Sequence, residues 1–355
     1  MNFWQANECR IDPWGEGYGI PVDLDDSREG KESDLVDLEA EVQAEDWEPC
    51  KPSTQLPLPN QLIFIDGRRR LDAWIPGRNM LCGAATVAVG AVRVDLSAQT
   101  AVLQLPLVIK RLLVFGGDCQ GELPAEQRIP CPLGNEGQLV YHHYRDLDNS
   151  DNPETMGQSG NRSALLQLVQ KEMRHQEVKL AQALSKQQNA LVIQDGNLYD
   201  AQYRKPRATV GYVKTMQKRY LPESHADLLL ELAPGERTPL FGIGQPQTPG
   251  HRWSWYLRSG DASLSPKRLG YHRLYGLVRL EVYSNSVPLD RAIAIANQST
   301  VLIPRYASHP TRDPRAPQNL TPVGALEKEL GRHMGDRNII ARRIHNFLIA
   351  EGANA

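Results

Sequence analysis

Residues 61–67 read QLIFIDG, a short apolar run that ends in an Asp-Gly pair. Runs of β-branched and aromatic residues that end at such a turn signal predict a β-strand. The stretches that follow are RRRLDAWI, AATVAVGAVRVDL and AVLQLPLVIKRLLVF. Glycine-containing turns between them predict a meander of three antiparallel strands, of which the QLIFIDG segment is the first.

A helix and a second strand ending in Asp-Gly are predicted after the meander. Residues 116–160 are rich in Gly, Pro, Asn and Asp, which predicts a loop. Residues 163–187 predict a long helix with Ser163 as its N-cap, and residues 190–196, ALVIQDG, predict the fourth strand. Further strands are predicted in TVGYVKTM, HRWSWYLRS and YGLVRLEVY, and helices in LDRAIAIAN, GALEKELGRHM and RNIIARRIHNFLIA. The expected fold class is therefore α/β, a mixed sheet with flanking helices.

Composition excludes several classes of protein. The 355 residues contain no run of 18 uncharged apolar residues, and the first residues lack the basic start and apolar centre of a signal peptide. Five widely spaced cysteines without a C-x-x-C pair indicate neither a disulfide framework nor a zinc site. A phosphate-binding G-x-x-x-x-G-K-[ST] loop and a G-x-S-x-G nucleophile motif are also absent. We therefore expect a cytoplasmic protein without a membrane span.

Charge is distributed unevenly along the chain. Residues 1–50 hold 15 acidic and three basic residues, whereas the rest of the chain holds 27 and 37, so the two parts carry −12 and +10. The first part is predicted to be an acidic N-terminal arm, loose or with a short helix through Leu35, Leu38 and Val42. A proline-rich segment near residue 51 marks its boundary. A basic body suggests a polyanionic partner; the alternative is that the arm only increases solubility.

Glu177 stands within an apolar stripe of the predicted helix. The other members of the stripe are Leu166, Val169, Met173, Leu180 and Leu184. A buried carboxylate must be protonated, paired with a cation or bound to a metal. The alternative is that Glu177 pairs with Arg174 or Lys179, or that the stripe lies one residue away.

Asp66 and Asp195 each end a predicted apolar strand. Alone, each is a common turn signal, but with Glu177 they place one acid on the first strand, one on the helix and one on the fourth strand. This order is similar to the ribonuclease H-like plan, in which three acids converge and hold two divalent ions. Oxygen ligands favour Mg²⁺ or Mn²⁺, and two such ions about 3.5–4 Å apart catalyse phosphodiester hydrolysis. In that scheme Asp66 bridges the two ions.

The chain from about residue 60 onward resembles the NurA nucleases. The matching stretches are LIFIDGRRR, MRHQEVKLAQAL, LVIQDGNLYD and VGYVKTM. The resemblance implies that residues 51–355 are a nuclease domain, a Mn²⁺- or Mg²⁺-dependent deoxyribonuclease with exonuclease and endonuclease activity on single- and double-stranded DNA. It also implies a homodimer that works with a hexameric HerA-type translocase in DNA end resection.

One part of the family pattern differs in this chain. The family often has a Tyr-Pro pair near the C-terminus, with a histidine eight residues after the tyrosine that completes the metal site. Here Asn319 takes the place of the tyrosine and Glu327 that of the histidine. Glu327 is therefore a candidate fourth ligand, with His309 and His333 as alternatives. A non-catalytic DNA-binding or adaptor subunit that has lost this ligand is the alternative function.

Basic residues follow the third acid. Lys214 is positioned to contact phosphate or to place a charge beside the metals. The other members of this group are Arg204, Lys205, Arg207, Lys218 and Arg219, interleaved with tyrosines. Such a composition is typical of a groove that binds a nucleic-acid backbone, and the alternative is a solvated charged surface. Arg279 and Glu281, on one face of the YGLVRLEVY strand, are expected to pair with each other.

Overall fold

The computed structural model describes residues 2–7, 9, 35–51, 55–144, 161–187, 189–198, 209–215, 218, 220–248, 250–261, 274–309 and 316–353. The strands are β1 Val36–Asp37, β2 Gln61–Pro76, β3 Met80–Asp95, β4 Thr100–Gly117, β5 Glu126–Asn135, β6 Gln138–His143, β7 Ala190–Asp195, β8 Thr209–Val213, β9 Phe241–Ile243, β10 Arg252–Arg258 and β11 Leu277–Tyr283. The helices are α1 Phe3–Ala6, α2 Arg162–Leu184, α3 Glu223–Ala226, α4 Leu228–Glu231, α5 Leu289–Tyr306, α6 Thr321–His333 and α7 Arg337–Ala353.

The described strands form one mixed sheet of 11 strands, in the order β1-β9-β10-β11-β8-β7-β2-β3-β4-β6-β5. Strands β2, β3 and β4 are antiparallel, which confirms the predicted meander. Strand β7 pairs parallel to β2, and β8 pairs parallel to β7. The predicted mixed α/β sheet with flanking helices is therefore confirmed.

Helices cover both faces of the sheet. Ile63 and Ile65 of β2 pack in one core cluster with Val169 of α2. Leu62 and Phe64 pack in another cluster, with residues of α5 and α6. Since successive side chains of a strand point to opposite faces, even-numbered residues in this part of β2, including Asp66, point toward the face that α6 covers.

The structure corrects the prediction that an Asp-Gly pair ends the first strand. Strand β2 continues through Asp66 and Gly67 for 16 residues, and Gly67 pairs with Val89 of β3. Gly196, in contrast, has φ +86° and makes a turn directly after Asp195. An Asp-Gly pair permits a turn without requiring one, and in β2 the long partner strand keeps the backbone extended.

The predicted loop over residues 116–160 is also wrong in its first half, because it contains β5 and β6. These strands form a hairpin whose turn residues, Glu136 and Gly137, have φ of 54° and 75°. Alternate residues of β5, Ile129 and Cys131, are buried. Prolines and glycines between them hide the period of two that marks a strand.

Two further predictions, the N-cap of α2 and the short helix in the arm, are wrong. Helix α2 begins at Arg162 with Asn161 as its N-cap, and the Asn161 side chain accepts the Ser163 N–H at 3.0 Å. The arm residues 35–50 form β1 and a short 3-10 turn instead of a helix, because β1 pairs with β9 of the sheet. Among the described helices, none has the length and apolarity needed to cross a bilayer.

Candidate metal centre

Three carboxylates from distant parts of the sequence meet at the centre of the sheet. Asp66 lies within β2, Asp195 is the last residue of β7, and Glu327 lies on α6. One oxygen of each lies within 4.8 Å of the others. The strand register explains why the two aspartates are neighbours. Ile65 of β2 pairs with Gln194 of β7 in the parallel ladder, and the next residue on each strand is an aspartate. We call Asp66, Asp195 and Glu327 the acidic trio.

Two carboxylate oxygens of the trio have no hydrogen-bond donor among the described residues. Asp66 Oδ2 and Asp195 Oδ1 are buried and accept no hydrogen bond from any described residue. Burial raises the pKa of Asp66 well above its usual value, and the charges of Asp195, Glu177 and Glu327 raise it further. Buried acceptors without partners are uncommon in folded proteins and require a physical account. A bound divalent cation would satisfy both oxygens and offset the repulsion.

Lys214 forms an ion pair with a member of the acidic trio. Its Nζ lies 2.6 Å from Asp195 Oδ2. Burial alone would lower the pKa of Lys214, but the carboxylates of Asp195, Asp66 and Glu327 outweigh burial and raise it. Lys214 therefore stays protonated beside the trio, where its charge can offset only part of the negative charge.

Glu177 approaches the trio from the opposite side of the sheet. It lies on α2 and is 3% exposed, as the stripe pattern predicts. Glu177 Oε1 lies so close to Gly67 that a Cβ added to this glycine would be only 2.5 Å from it. Glu177 Oε2 lies 3.4 Å from Gln194 Nε2. Glu177 contributes to the raised pKa of Asp66 but is not among the three residues whose oxygens lie within 4.8 Å of one another.

Replacement of Gly67 by alanine is expected to displace the Glu177 carboxylate. The new Cβ would also lie 2.8 Å from Met173 Cγ, so the free energy of unfolding should fall by about 1–3 kcal/mol, the usual cost of overpacking. Urea unfolding measures this loss, and a Mn²⁺ titration should show weaker binding. Gly324→Ala on α6 is the matched control, because its Cβ meets nothing within 4 Å and helical Gly→Ala stabilises by roughly 0.5–1 kcal/mol. Unchanged stability of Gly67→Ala would contradict this description.

The turn that follows Asp195 is held by a buried ion pair. Arg279 Nη1 lies 2.5 Å from Glu281 Oε2, which confirms the predicted pair. Glu281 also accepts the Leu198 N–H at 2.8 Å, and Arg279 donates to Asn197 Oδ1 at 2.8 Å. Burial would raise the pKa of Glu281, but Arg252 and Arg279 outweigh it and lower the pKa. The pair thus fixes the segment that carries Asp195, a role that its spacing in the strand does not reveal.

The predicted phosphate-contacting residues are only partly within the described chain. Lys214 lies at the trio, and Lys218 Nζ lies 5.4 Å from the centre of the Tyr220 ring. Arg204, Lys205, Arg207 and Arg219 lie outside the described residues.

Arg68 is a basic residue at the site that sequence reasoning did not single out. It is exposed, lies two residues after Asp66 on the same face of β2, and donates from Nη1 to the Glu327 carbonyl at 3.1 Å. The available signal was its position in the stretch that begins LIFIDGRRR, where a period of two places Arg68 beside Asp66.

Of the three candidates for the fourth ligand, the structure places Glu327 with the aspartates. Among the described residues, neither His309 nor His333 has a ring nitrogen in the group of ligand atoms that lie within 4.8 Å of one another. His333 is exposed, and its Nδ1 lies 2.9 Å from the carbonyl oxygen of Glu329 on its own helix.

The donor set is chemically suited to a hard divalent cation. It consists of carboxylate oxygens, the ligands that Mg²⁺ and Mn²⁺ prefer. Neither a protein-family model nor a curated protein matches the chain significantly.

Proposed function

We propose that this protein is a metal-dependent DNA nuclease that hydrolyses phosphodiester bonds with two Mn²⁺ or Mg²⁺ ions. The observation that carries the proposal is the pair of buried carboxylate oxygens, Asp66 Oδ2 and Asp195 Oδ1, which accept no hydrogen bond from the described residues and lie in one group with Glu327. Asp66, Asp195 and Glu327 would hold the ions, with Glu177 approaching across Gly67. Bound ions of this kind activate a water molecule and stabilise the charge on the phosphate and the leaving oxygen.

The protein's own residues contribute charge and position. Lys214 lies protonated beside Asp195, and exposed Arg68 donates to the backbone carbonyl of Glu327. Each can donate hydrogen bonds to a phosphate oxygen and keep a DNA strand over the acids. The +10 charge after residue 50 favours the same polyanionic substrate.

The ribonuclease H-like fold is part of the proposal. It is supported by the central strand order β4-β3-β2-β7-β8, in which three antiparallel strands are followed by α2 and two strands parallel to the first. Membership of the NurA family, a homodimer, the HerA-type translocase partner and a cytoplasmic location are proposed on the sequence resemblance and cysteine pattern alone.

A cleavage assay on labelled single- and double-stranded DNA tests the proposed activity. We expect cleavage in Mn²⁺, none in EDTA, and a loss of more than about a hundredfold in Asp195→Asn, since changes to groups that only support a ligand already cost 10- to 100-fold. Asp95→Asn is the matched control because Asp95 also ends a strand but is not a member of the acidic trio. Equal cleavage by the parent and Asp195→Asn would reject the assignment. DNA binding without cleavage by the parent would favour the non-catalytic adaptor.

A further inference from the structure

The helix that carries Glu327 is fastened to the sheet at its C-terminal end. Met334 is the C-cap of α6, and Gly335, with φ +82°, ends the helix. Arg70 of β2 donates from Nη1 to the Gly335 carbonyl at 2.7 Å and from Nη2 to the Met334 carbonyl at 3.2 Å. Arg111 of β4 donates to the Met334 carbonyl at 3.3 Å. Cationic donors therefore satisfy carbonyls that a helix end leaves without partners.

Arg70 is itself held by a buried carboxylate. Its Nε donates to Asp72 Oδ1 at 2.9 Å. Asp72 Oδ2 accepts from Thr86 Oγ1 at 2.5 Å and from the Tyr141 hydroxyl at 2.8 Å. Burial, and then the charge of Asp72, raise the pKa of Tyr141 well above its usual value, so the phenol keeps the proton that it donates. Donors on three strands thus fix Asp72, which is 3% exposed.

Asp72 lies at an irregularity in the pairing of β2 with β3. The register with β3 shifts between Leu71 and Ala73, so Asp72 lies at a β-bulge. Bulges redirect side chains and occur preferentially beside functional sites. On the regular side of the bulge, Asp66, Arg68 and Arg70 follow one another on the face of β2 that α6 covers. Strand β2 therefore supplies the candidate ligand Asp66 and two donors to α6. Arg68 donates to the Glu327 carbonyl, and Arg70 donates to carbonyls at the end of that helix.

We propose that Arg70, fixed by Asp72, is a positioning residue that places Glu327 within reach of Asp66 and Asp195. Arg70 contacts the helix end about two turns after Glu327, and its two donated hydrogen bonds set where that end lies relative to β2. The inference rests on the proposed metal site, because it assigns Arg70 a role in completing that site through Glu327.

The test is a thermodynamic cycle of Mn²⁺ affinity, measured by calorimetry on the full chain. Arg70→Met keeps the aliphatic length and removes the donors, and Glu327→Gln removes the ligand charge. Each is expected to weaken Mn²⁺ binding about ten- to a hundredfold. The double variant should bind no more weakly than Glu327→Gln alone, because Arg70 acts only through Glu327 and the effects are then not additive.

Two further variants separate positioning from general destabilisation. Arg258 of β10 also donates to carbonyls at a helix end, those of Leu229 and Leu232, but that helix carries no member of the trio. Arg258→Met should lower the thermal midpoint and leave Mn²⁺ affinity within about twofold of the parent. Tyr141→Phe keeps the packing and removes one donor to Asp72, so we expect a severalfold weakening of Mn²⁺ binding that disappears in the Glu327→Gln background. Circular dichroism establishes that each variant is folded.

The outcomes are distinct. Unchanged Mn²⁺ affinity in folded Arg70→Met, or a loss that adds fully to that of Glu327→Gln, would overturn the positioning role and leave the metal site intact. Failure of the parent to bind Mn²⁺ would reject the metal site itself, and the inference with it.

Discussion

Asp66→Asn is expected to abolish Mn²⁺-dependent DNA cleavage and, in EDTA, to make the protein more stable than the parent. The pKa of Asp66 is raised in the folded protein by burial and by Asp195, Glu177 and Glu327. The folded state therefore holds a proton that the unfolded chain releases at lower pH, and stability falls as pH rises from the unfolded pKa to the folded one. Above that window the full cost of a buried charge among like charges remains.

Asparagine removes that cost and should raise the free energy of unfolding at pH values above the unfolded pKa of Asp66. Thermal unfolding in EDTA measures the gain, which should disappear at a pH below the unfolded pKa. Asp95→Asn is the control: hydrogen bonds from Ser97 and Ala98 lower the pKa of Asp95, so no gain is expected there.

Adding Mn²⁺ should make the parent more stable than Asp66→Asn, which is the reverse of the order expected in EDTA. A ligand that binds only the folded state stabilises it by about 2.7 kcal/mol at a hundred times its dissociation constant. The parent should gain this stability and Asp66→Asn should not. A parent with no Mn²⁺-dependent rise in its unfolding midpoint would contradict the account, as would an Asp66→Asn variant that is less stable than the parent in EDTA.

The second large effect is expected at the junction between the acidic arm and the sheet. Arg237 is 2% exposed and donates from both terminal nitrogens to Glu41, at 2.8 and 2.7 Å. Arg237 also donates to Asn297, and Glu41 accepts the Leu240 N–H at 2.7 Å. Breaking a buried pair from one side leaves an uncompensated charge, so Arg237→Met should lower the free energy of unfolding by about 3–5 kcal/mol.

Urea unfolding of three variants tests this junction. Lys51→Met is the control, because it breaks an ion pair with Glu236 in which the lysine side chain is 77% exposed, and such pairs contribute about 0–1 kcal/mol. Arg237→Met combined with Glu41→Gln should recover part of the loss. A value for Arg237→Met within about 1 kcal/mol of the parent would show that the arm is not anchored through this pair.

This junction changes how the role of the arm is tested. Deletion of residues 1–50 would remove Glu41 and also Trp4, which packs against Phe115 and Phe347. A loss of DNA affinity after such a deletion would therefore report on folding as well as on charge. Neutralising the acidic residues between positions 10 and 34 changes the charge of the arm without replacing Glu41 or Trp4.

The sequence predicts structure best where the repeat of apolar residues along a strand or a helix is uninterrupted. The β-branched runs predicted β2, β3 and β4, and the apolar stripe predicted that Glu177 is buried on α2. The prediction was wrong for β5 and β6, where prolines and glycines interrupt the alternation. The predicted N-cap of α2, Ser163, is also wrong, because the choice between Asn161 and Ser163 depends on backbone geometry that either residue type permits.

The site was predictable residue by residue but not as a geometry. Asp66, Asp195 and Glu327 were all candidates, yet only the parallel register of β2 with β7 and the packing of α6 bring their oxygens within 4.8 Å. Local patterns carry no information about such long-range packing. Arg70 and Asp72 illustrate the same limit, because their partners lie on α6, β3 and β6.

Anomalous diffraction from a crystal soaked in Mn²⁺ tests the central claim most directly. The account predicts manganese peaks at coordination distance, about 2.0–2.6 Å, from carboxylate oxygens of Asp66, Asp195 and Glu327. Manganese bound elsewhere, with these oxygens uncoordinated in protein that cleaves DNA, would contradict it.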